Sequence, residues 1–183
     1  MTRSEKPVRI TTAGDIMIPL DKYPHLPHWF TLRQAMVEME NSELEIRGRK
    51  SLPRVVLVFD EKYQLMGMVR RRDILRGLEP QFLTSTPAGN RRRLFDLEAD
   101  PALSEVFWDK IVGGMRKQAE RPVSDVMIPI KGVAKYTDHI AKVVYEMNEN
   151  RFSLLPVLRD GKVVGVVRTV DVFHEFAKLL LED

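Results

Sequence analysis

The amino-acid sequence predicts an α+β fold in which one βαββα unit is used twice. Three observations predict it. Asp15-Ile-Met-Ile-Pro19 recurs as Asp125-Val-Met-Ile-Pro129. Gly67-Met-Val-Arg-Arg-Arg-Asp73 recurs, in the same order along the chain, as Gly165-Val-Val-Arg-Thr-Val-Asp171. Between the two motifs of each copy stands the same succession of an amphipathic helical pattern and two short apolar runs. Internal repetition outranks any local signal, because it ties the assignment of one copy to the other. The spacing between matched motifs differs, so each copy carries its own insertions.

The elements follow in order. Leu32, Ala35, Met36 and Met39 fall on one helical face, as do Ile140, Val143, Val144 and Met147. Both sets have the i, i+3, i+4, i+7 spacing of a helix with one buried stripe. Thr31 and Thr137-Asp138 occupy the places of helix N-caps. The apolar runs 154–158 and 163–167 are split by Arg159-Asp-Gly-Lys162, and Asp-Gly between β-branched runs is a hairpin signal. In the first copy the runs are 55–59 and 65–69, split by residues 60–64. A second helix opens near Asp73 and near Asp171, where a carboxylate reads first of all as an N-cap.

The first unit spans residues 8–76, with an insertion near 42–50 whose charged composition suggests a helix extension or an exposed loop. Residues 77–118 link the units through a loop and a helix beginning at about Pro101, weakened by Gly113-Gly114. The second unit spans 119–181. The segment Asp21–Phe30 is rich in Pro and aromatic residues, and its Tyr23, Pro24, Pro27, Trp29 and Phe30 read as a packed loop over the first unit.

Composition narrows the function. The chain has 183 residues, enough to bury roughly 70% of the unfolded surface in a core. Apolar residues make up 44% and charged residues 30%, which is too apolar for disorder. With no cysteine there is no disulfide, thiolate metal site, iron–sulfur cluster or cysteine nucleophile. No apolar run approaches the ~20 residues of a membrane helix, and Met1–Asp15 lacks a signal-peptide core. A cytoplasmic protein with no membrane partner is the expectation. No nucleophile elbow, phosphate loop or metal triad is present, so no catalytic residue is expected. His25-Leu-Pro-His28 has no third ligand beside it, and metal binding is not expected there.

A net charge of +3 does not by itself argue for nucleic acid. Residues 70–93 nevertheless hold seven Arg against two acidic residues. A solvated face is the plain reading of that run. A phosphate-binding edge is the functional one. Nucleic acid is not expected, since Phe82 alone interrupts the run with an aromatic ring.

The two motifs, the amphipathic helix and Leu155-Pro-Val-Leu-Arg-Asp-Gly-Lys-Val-Val-Gly165 together resemble a CBS domain, and the tandem copy resembles a CBS pair or Bateman module. The second unit is the closer match; Leu57 stands where it has Pro156. The resemblance implies two units packed about a pseudo-twofold axis and a non-catalytic, regulatory role. It implies an adenosine-containing ligand (AMP, ADP, ATP, NAD or S-adenosylmethionine) in clefts between the repeats, with no cofactor required. It also implies a homodimer and a regulated partner protein. Asp73 and Asp171 would hold the ribose hydroxyls, while Ile18 and Ile128, with Ser153 and Leu154, would line the base. The chain departs from the family where a Ser or Thr hydroxyl is usual, having Arg70 and Arg168 instead. Arginine offers a planar fork suited to phosphate. Either both arginines grip an anionic ligand, or they fill the clefts and leave a ligand-free interaction scaffold. Arginines that bridge to acidic neighbours would favour the second reading.

Overall fold

A computed structural model of the chain describes residues 11–46, 48–87, 90 and 101–181. The fold is α+β, with two four-stranded sheets and a separate two-stranded ribbon. It forms two compact units. The second-repeat unit gathers the segment ending at Tyr23, Leu44–Arg49 and the segment from Ile130 onward. The first-repeat unit holds Pro24–Glu43 and Lys50–Pro129.

In the second-repeat unit the Asp-Gly hairpin forms as its sequence predicts. Strands β9 (Leu154–Arg159) and β10 (Lys162–Arg168) pair antiparallel around Asp160 and Gly161, both at positive φ. That pair of conformations is what a two-residue turn of this hand needs. Strand β8 (Ala134–Lys135) adds to β9 in parallel, and the two-residue strand β1 (Ile18–Pro19) adds to β10 antiparallel. The sheet order is β1-β10-β9-β8. Helices α1 (Ala13–Ile16), α6 (Ile140–Asn150) and α7 (Thr169–Leu181) cover it. Their apolar faces meet the strands in one core that includes Ile16, Ile140, Val143, Met147, Leu155, Val157 and Val167.

The first-repeat unit repeats the scheme with a different hairpin. Strands β5 (Val55–Phe59) and β6 (Leu65–Arg70) are joined by a longer loop. Asp60 organises that loop, its carboxylate accepting from the backbone N–H groups of Lys62 and Gln64 at 2.9 and 2.7 Å. Strand β2 (His25–Pro27) lies parallel to β5 and β7 (Ile128–Pro129) antiparallel to β6. The order is β2-β5-β6-β7. Its core joins helix α2 (Leu32–Asn41), through Leu32, Ala35 and Met39, to Val56, Val58, Val69 and Ile74. Helix α3 (Arg71–Gly77) follows β6 directly. A short helix α4 (Gln81–Thr84) precedes α5 (Pro101–Gln118). Helix α5 runs unbroken through Gly113-Gly114, against the expectation of weakness there, and Gly114 leaves room for Pro80.

Each unit therefore borrows a strand across the repeat boundary. The Met-Ile-Pro segment of the first repeat becomes β1 beside β10, and that of the second becomes β7 beside β6. The motif glycines make this possible. A Cβ on Gly67 would lie 2.6 Å from the Ile128 carbonyl oxygen, and one on Gly165 would collide with that of Ile18. Backbone crossing at that distance leaves hydrogen as the only side chain that fits.

Three sequence expectations need correction. Residues 42–50 are neither helix extension nor plain loop, since β3 (Leu44–Ile46) and β4 (Arg49–Ser51) form the two-stranded ribbon. Thr31 does cap α2, accepting from Gln34 N–H, but α6 is capped by His139, whose Nδ1 accepts from Ala141 N–H at 3.1 Å. Asp138 serves Lys135 N–H and Lys142 Nζ instead, each at 2.9 Å. Tyr23–Phe30 is not a loop throughout: it holds β2, buries Tyr23 and leaves Trp29 exposed. Among the described residues no helix is long and apolar enough to cross a membrane.

Candidate functional site

The end of the hairpin and the start of the following helix place an arginine and an aspartate together in each unit. Asp73 is the third residue of α3 and Asp171 the third of α7. Neither is an N-cap. Each carboxylate reaches back one turn to the backbone N–H of the arginine that ends the strand, at 3.0 Å for Arg70 and 3.2 Å for Arg168. That is one half of a capping box, with the acidic residue at its usual third position.

The arginine side chain completes a clasp. Arg70 Nε donates to Asp73 Oδ2 at 2.6 Å and Nη2 to Oδ1 at 2.8 Å. Arg168 makes the same pair of bonds to Asp171, at 2.8 and 2.7 Å. Two parallel N–H···O bonds between a guanidinium and a carboxylate are among the stronger polar contacts in proteins. Both oxygens of each aspartate are engaged. The arginines thus bridge to acidic neighbours.

Surroundings differ between the two. Asp73 is 4% exposed and Arg70 27%, whereas Asp171 is 9% exposed and Arg168 13%. Burial works to raise the Asp73 carboxyl, but the bonds from Arg70, with the charges of Arg70 and Arg72, outweigh it and hold the group below the usual carboxylate range. Asp73 in turn raises Arg70. Beside the second clasp lies Tyr23, 2% exposed. Burial pushes its hydroxyl well above the ordinary value, the Arg168 charge opposing and the Asp171 charge adding to the rise.

The remaining candidate residues fall around these clasps. Leu154 pairs with Arg168 across the hairpin, and the Ser153 carbonyl accepts from Thr169 N–H at 3.1 Å. Ile18 pairs with Val166, so it sits on the strand that leads to Arg168. Ile128 pairs with Met68, on the strand that leads to Arg70. Each clasp is therefore served by the isoleucine of the other sequence repeat. The first-repeat counterparts of Ser153 and Leu154 are Arg54, whose carbonyl accepts from Arg71 N–H at 3.3 Å, and Val55, which pairs with Arg70. Sequence reasoning missed both, although superposing the two hairpins on their glycine motifs would have found them. It also missed Tyr23, for which the sequence offers no signal.

The other candidates sit elsewhere. His25 Nε2 meets the Tyr63 hydroxyl at 2.6 Å and His28 Nε2 meets Glu61 at 2.9 Å. Hydrogen bonding to His28 lowers the Glu61 carboxyl. Arg91, Arg92 and Arg93 of the arginine-rich run lie outside the described residues.

Comparison with known proteins bears on what such a site is for. The model of the CBS domain matches residues 13–80 and 123–178. No curated protein is similar enough in sequence to match. Among solved structures, CBSX2 in complex with AMP is 19% identical, with 92% of this chain and 97% of that one covered and a TM-score of 0.58. A putative acetoin utilization protein (AcuB) from Vibrio cholerae is 21% identical over 94% of both chains, with a TM-score of 0.61. The cytosolic domain of the Mg2+ channel MgtE in complex with ATP is 19% identical over 91% of this chain and 50% of its own, with a TM-score of 0.57.

Proposed function

This chain belongs to the CBS-domain family, and on that premise we propose that it is a non-catalytic regulatory module sensing an adenine nucleotide, or a related adenosyl or anionic ligand, at Asp171 and Asp73. CBS-pair proteins are regulatory modules, and AMP and ATP complexes occur among the similar structures. The observation that carries the reading is the twofold recurrence of a largely buried carboxylate at the third position of the helix that follows the hairpin. Its two oxygens accept a forked donor, and the vicinal hydroxyls of a ribose present a fork of the same kind. Ile18 and Leu154 stand on the same sheet as Arg168, with Ser153 immediately before β9, and Ile128 stands on the same sheet as Arg70, which supports their lining a base.

Regulation would act through differential affinity: a ligand shifts the chain towards whichever arrangement binds it better, and a partner protein reads the change. Exposed Phe173 and Leu180 on α7, with Tyr145 on α6, support contact with a second copy or with that partner.

A panel of AMP, ADP, ATP, NAD and S-adenosylmethionine in a thermal-shift assay tests the reading. A ligand at about 100 times its Kd stabilises by about 2.7 kcal/mol, which raises Tm by several degrees in a chain of this size. Loss of the shift in Asp171→Ala or Asp73→Ala locates the working site. No shift with any ligand at millimolar concentration overturns the reading. A second reading then leads, a ligand-free interaction scaffold. Its support is that both clasps are closed, each arginine being spent on its own aspartate.

A further inference from the structure

Resting on the ligand site proposed above, we propose that the Arg168–Asp171 clasp is its specificity determinant: it yields to an adenosyl ligand that carries a phosphate on the sugar and excludes neutral or cationic adenosyl molecules. The geometry sets the condition. Asp171 already accepts from Arg168 Nε, Nη2 and backbone N–H, so a ribose can engage both of its oxygens only if the guanidinium withdraws. The Arg168 side chain is 13% exposed, and a charge so placed is costly to separate from its carboxylate. Adenosine brings the diol and no anion, so it asks the site to open the clasp and take the carboxylate from Arg168 with no anion in exchange. A nucleoside phosphate brings both groups on one sugar. Its diol replaces the guanidinium on Asp171 while its phosphate, a fork-matching anion, replaces the carboxylate on Arg168. The exchange gives Asp171 a donor fork and Arg168 an anion in return for the bonds each loses. S-adenosylmethionine carries a cationic sulfonium on the same sugar carbon and would meet the arginine with the wrong sign.

The clasp at Arg70 follows the same logic with less force. Its guanidinium is twice as exposed and can turn to water when displaced. Discrimination therefore resides chiefly at Arg168.

Calorimetric titration with adenosine, AMP and S-adenosylmethionine tests this on the intact chain, Arg168→Thr, Arg168→Gln and Arg70→Gln. Arg168→Gln keeps a long side chain with a donor for Asp171, and guards against a failure of Arg168→Thr to fold; melting curves monitor both. The intact chain should bind AMP tighter than adenosine by about tenfold or more. Arg168→Gln should bring that ratio close to one, with adenosine gaining affinity rather than AMP alone losing it. Arg70→Gln should leave the preference in place. Equal binding of adenosine and AMP by the intact chain overturns the proposal while leaving the ligand site standing, as does an unchanged ratio in Arg168→Gln. If only the Arg168 variants bind, the clasp is a plug rather than a selector, and the proposal again fails. If none of the proteins binds any of the three, the ligand site itself fails and takes this proposal with it.

Discussion

The two Arg–Asp clasps are the same in bonding and different in setting. Their hydrogen bonds agree to within a few tenths of an ångström, yet Arg168 has half the exposure of Arg70, and Tyr23 is buried beside only the second pair. Bond length therefore says little about what each pair contributes. Solvent access decides, because water screens an exposed charge and solvates it when its partner leaves. The second clasp is the one whose loss the fold can least absorb.

Removing each aspartate tests that difference most directly. Asp171→Ala takes the clasping carboxylate from the less exposed of the two arginines and should destabilise by about 3–5 kcal/mol. Asp73→Ala leaves a guanidinium that can reach water, and the loss should stay near 1.5–3 kcal/mol. Urea unfolding of the two variants reads both values. Equal losses would mean that the burial difference has no energetic content and that the clasps are interchangeable.

The glycines under the borrowed strands give a smaller effect and sharpen the comparison. Gly165→Ala pushes a methyl group into the Ile18 carbonyl and Gly67→Ala pushes one into that of Ile128. Each should destabilise by about 1–3 kcal/mol through overpacking. The strand displaced in the first case carries a buried isoleucine beside the Arg168 clasp, and in the second a half-buried one beside the Arg70 clasp. Gly165→Ala should therefore cause the larger loss. The opposite ranking would show that the strand crossing, not the clasp behind it, sets the sensitivity of each unit.

How much of this was written in the sequence depends on the range of the interaction. The helical stripes of α2 and α6 and the Asp160-Gly161 turn are local, and they formed as read except at Met36, which α2 leaves exposed. The exchange of β1 and β7 is a tertiary pairing of two-residue strands, and nothing in the Met-Ile-Pro segments says which sheet they will join. The ribbon at Leu44–Ser51 was hidden because the alternation of Leu44-Glu45-Ile46 lasts only three residues and Arg49-Lys50-Ser51 has no apolar residue to announce its partner strand. Arg168 and Asp171 were legible as candidate site residues from the repeated motif. Their engagement with each other was not, because an arginine three residues before an aspartate can turn either to the helix start or to a ligand. Tyr23 reaches the second clasp only through the fold.

Acid separates the units by the smallest margin. In the first-repeat unit Asp73 is held below its ordinary value, since the Arg70 bonds and neighbouring cationic charge outweigh the effect of burial. In the second-repeat unit burial acts on Asp138 in the same sense and is outweighed in turn by Lys142 and Lys135. A carboxyl lowered in the folded state contributes stability that is complete above its unfolded value of about 3.9 and is lost as pH falls through the folded value. Both groups therefore weaken the fold below about pH 4 and have no such effect at neutral pH. Asp73→Asn and Asp138→Asn should each flatten the fall in urea midpoint between about pH 5 and pH 3. Asp73 is the more buried and accepts from a guanidinium fork, where Asp138 meets an ammonium half-open to water. Its substitution should flatten the curve more. If Asp138→Asn flattens it as much, the acid response belongs to carboxylate–cation pairs in general rather than to the clasp.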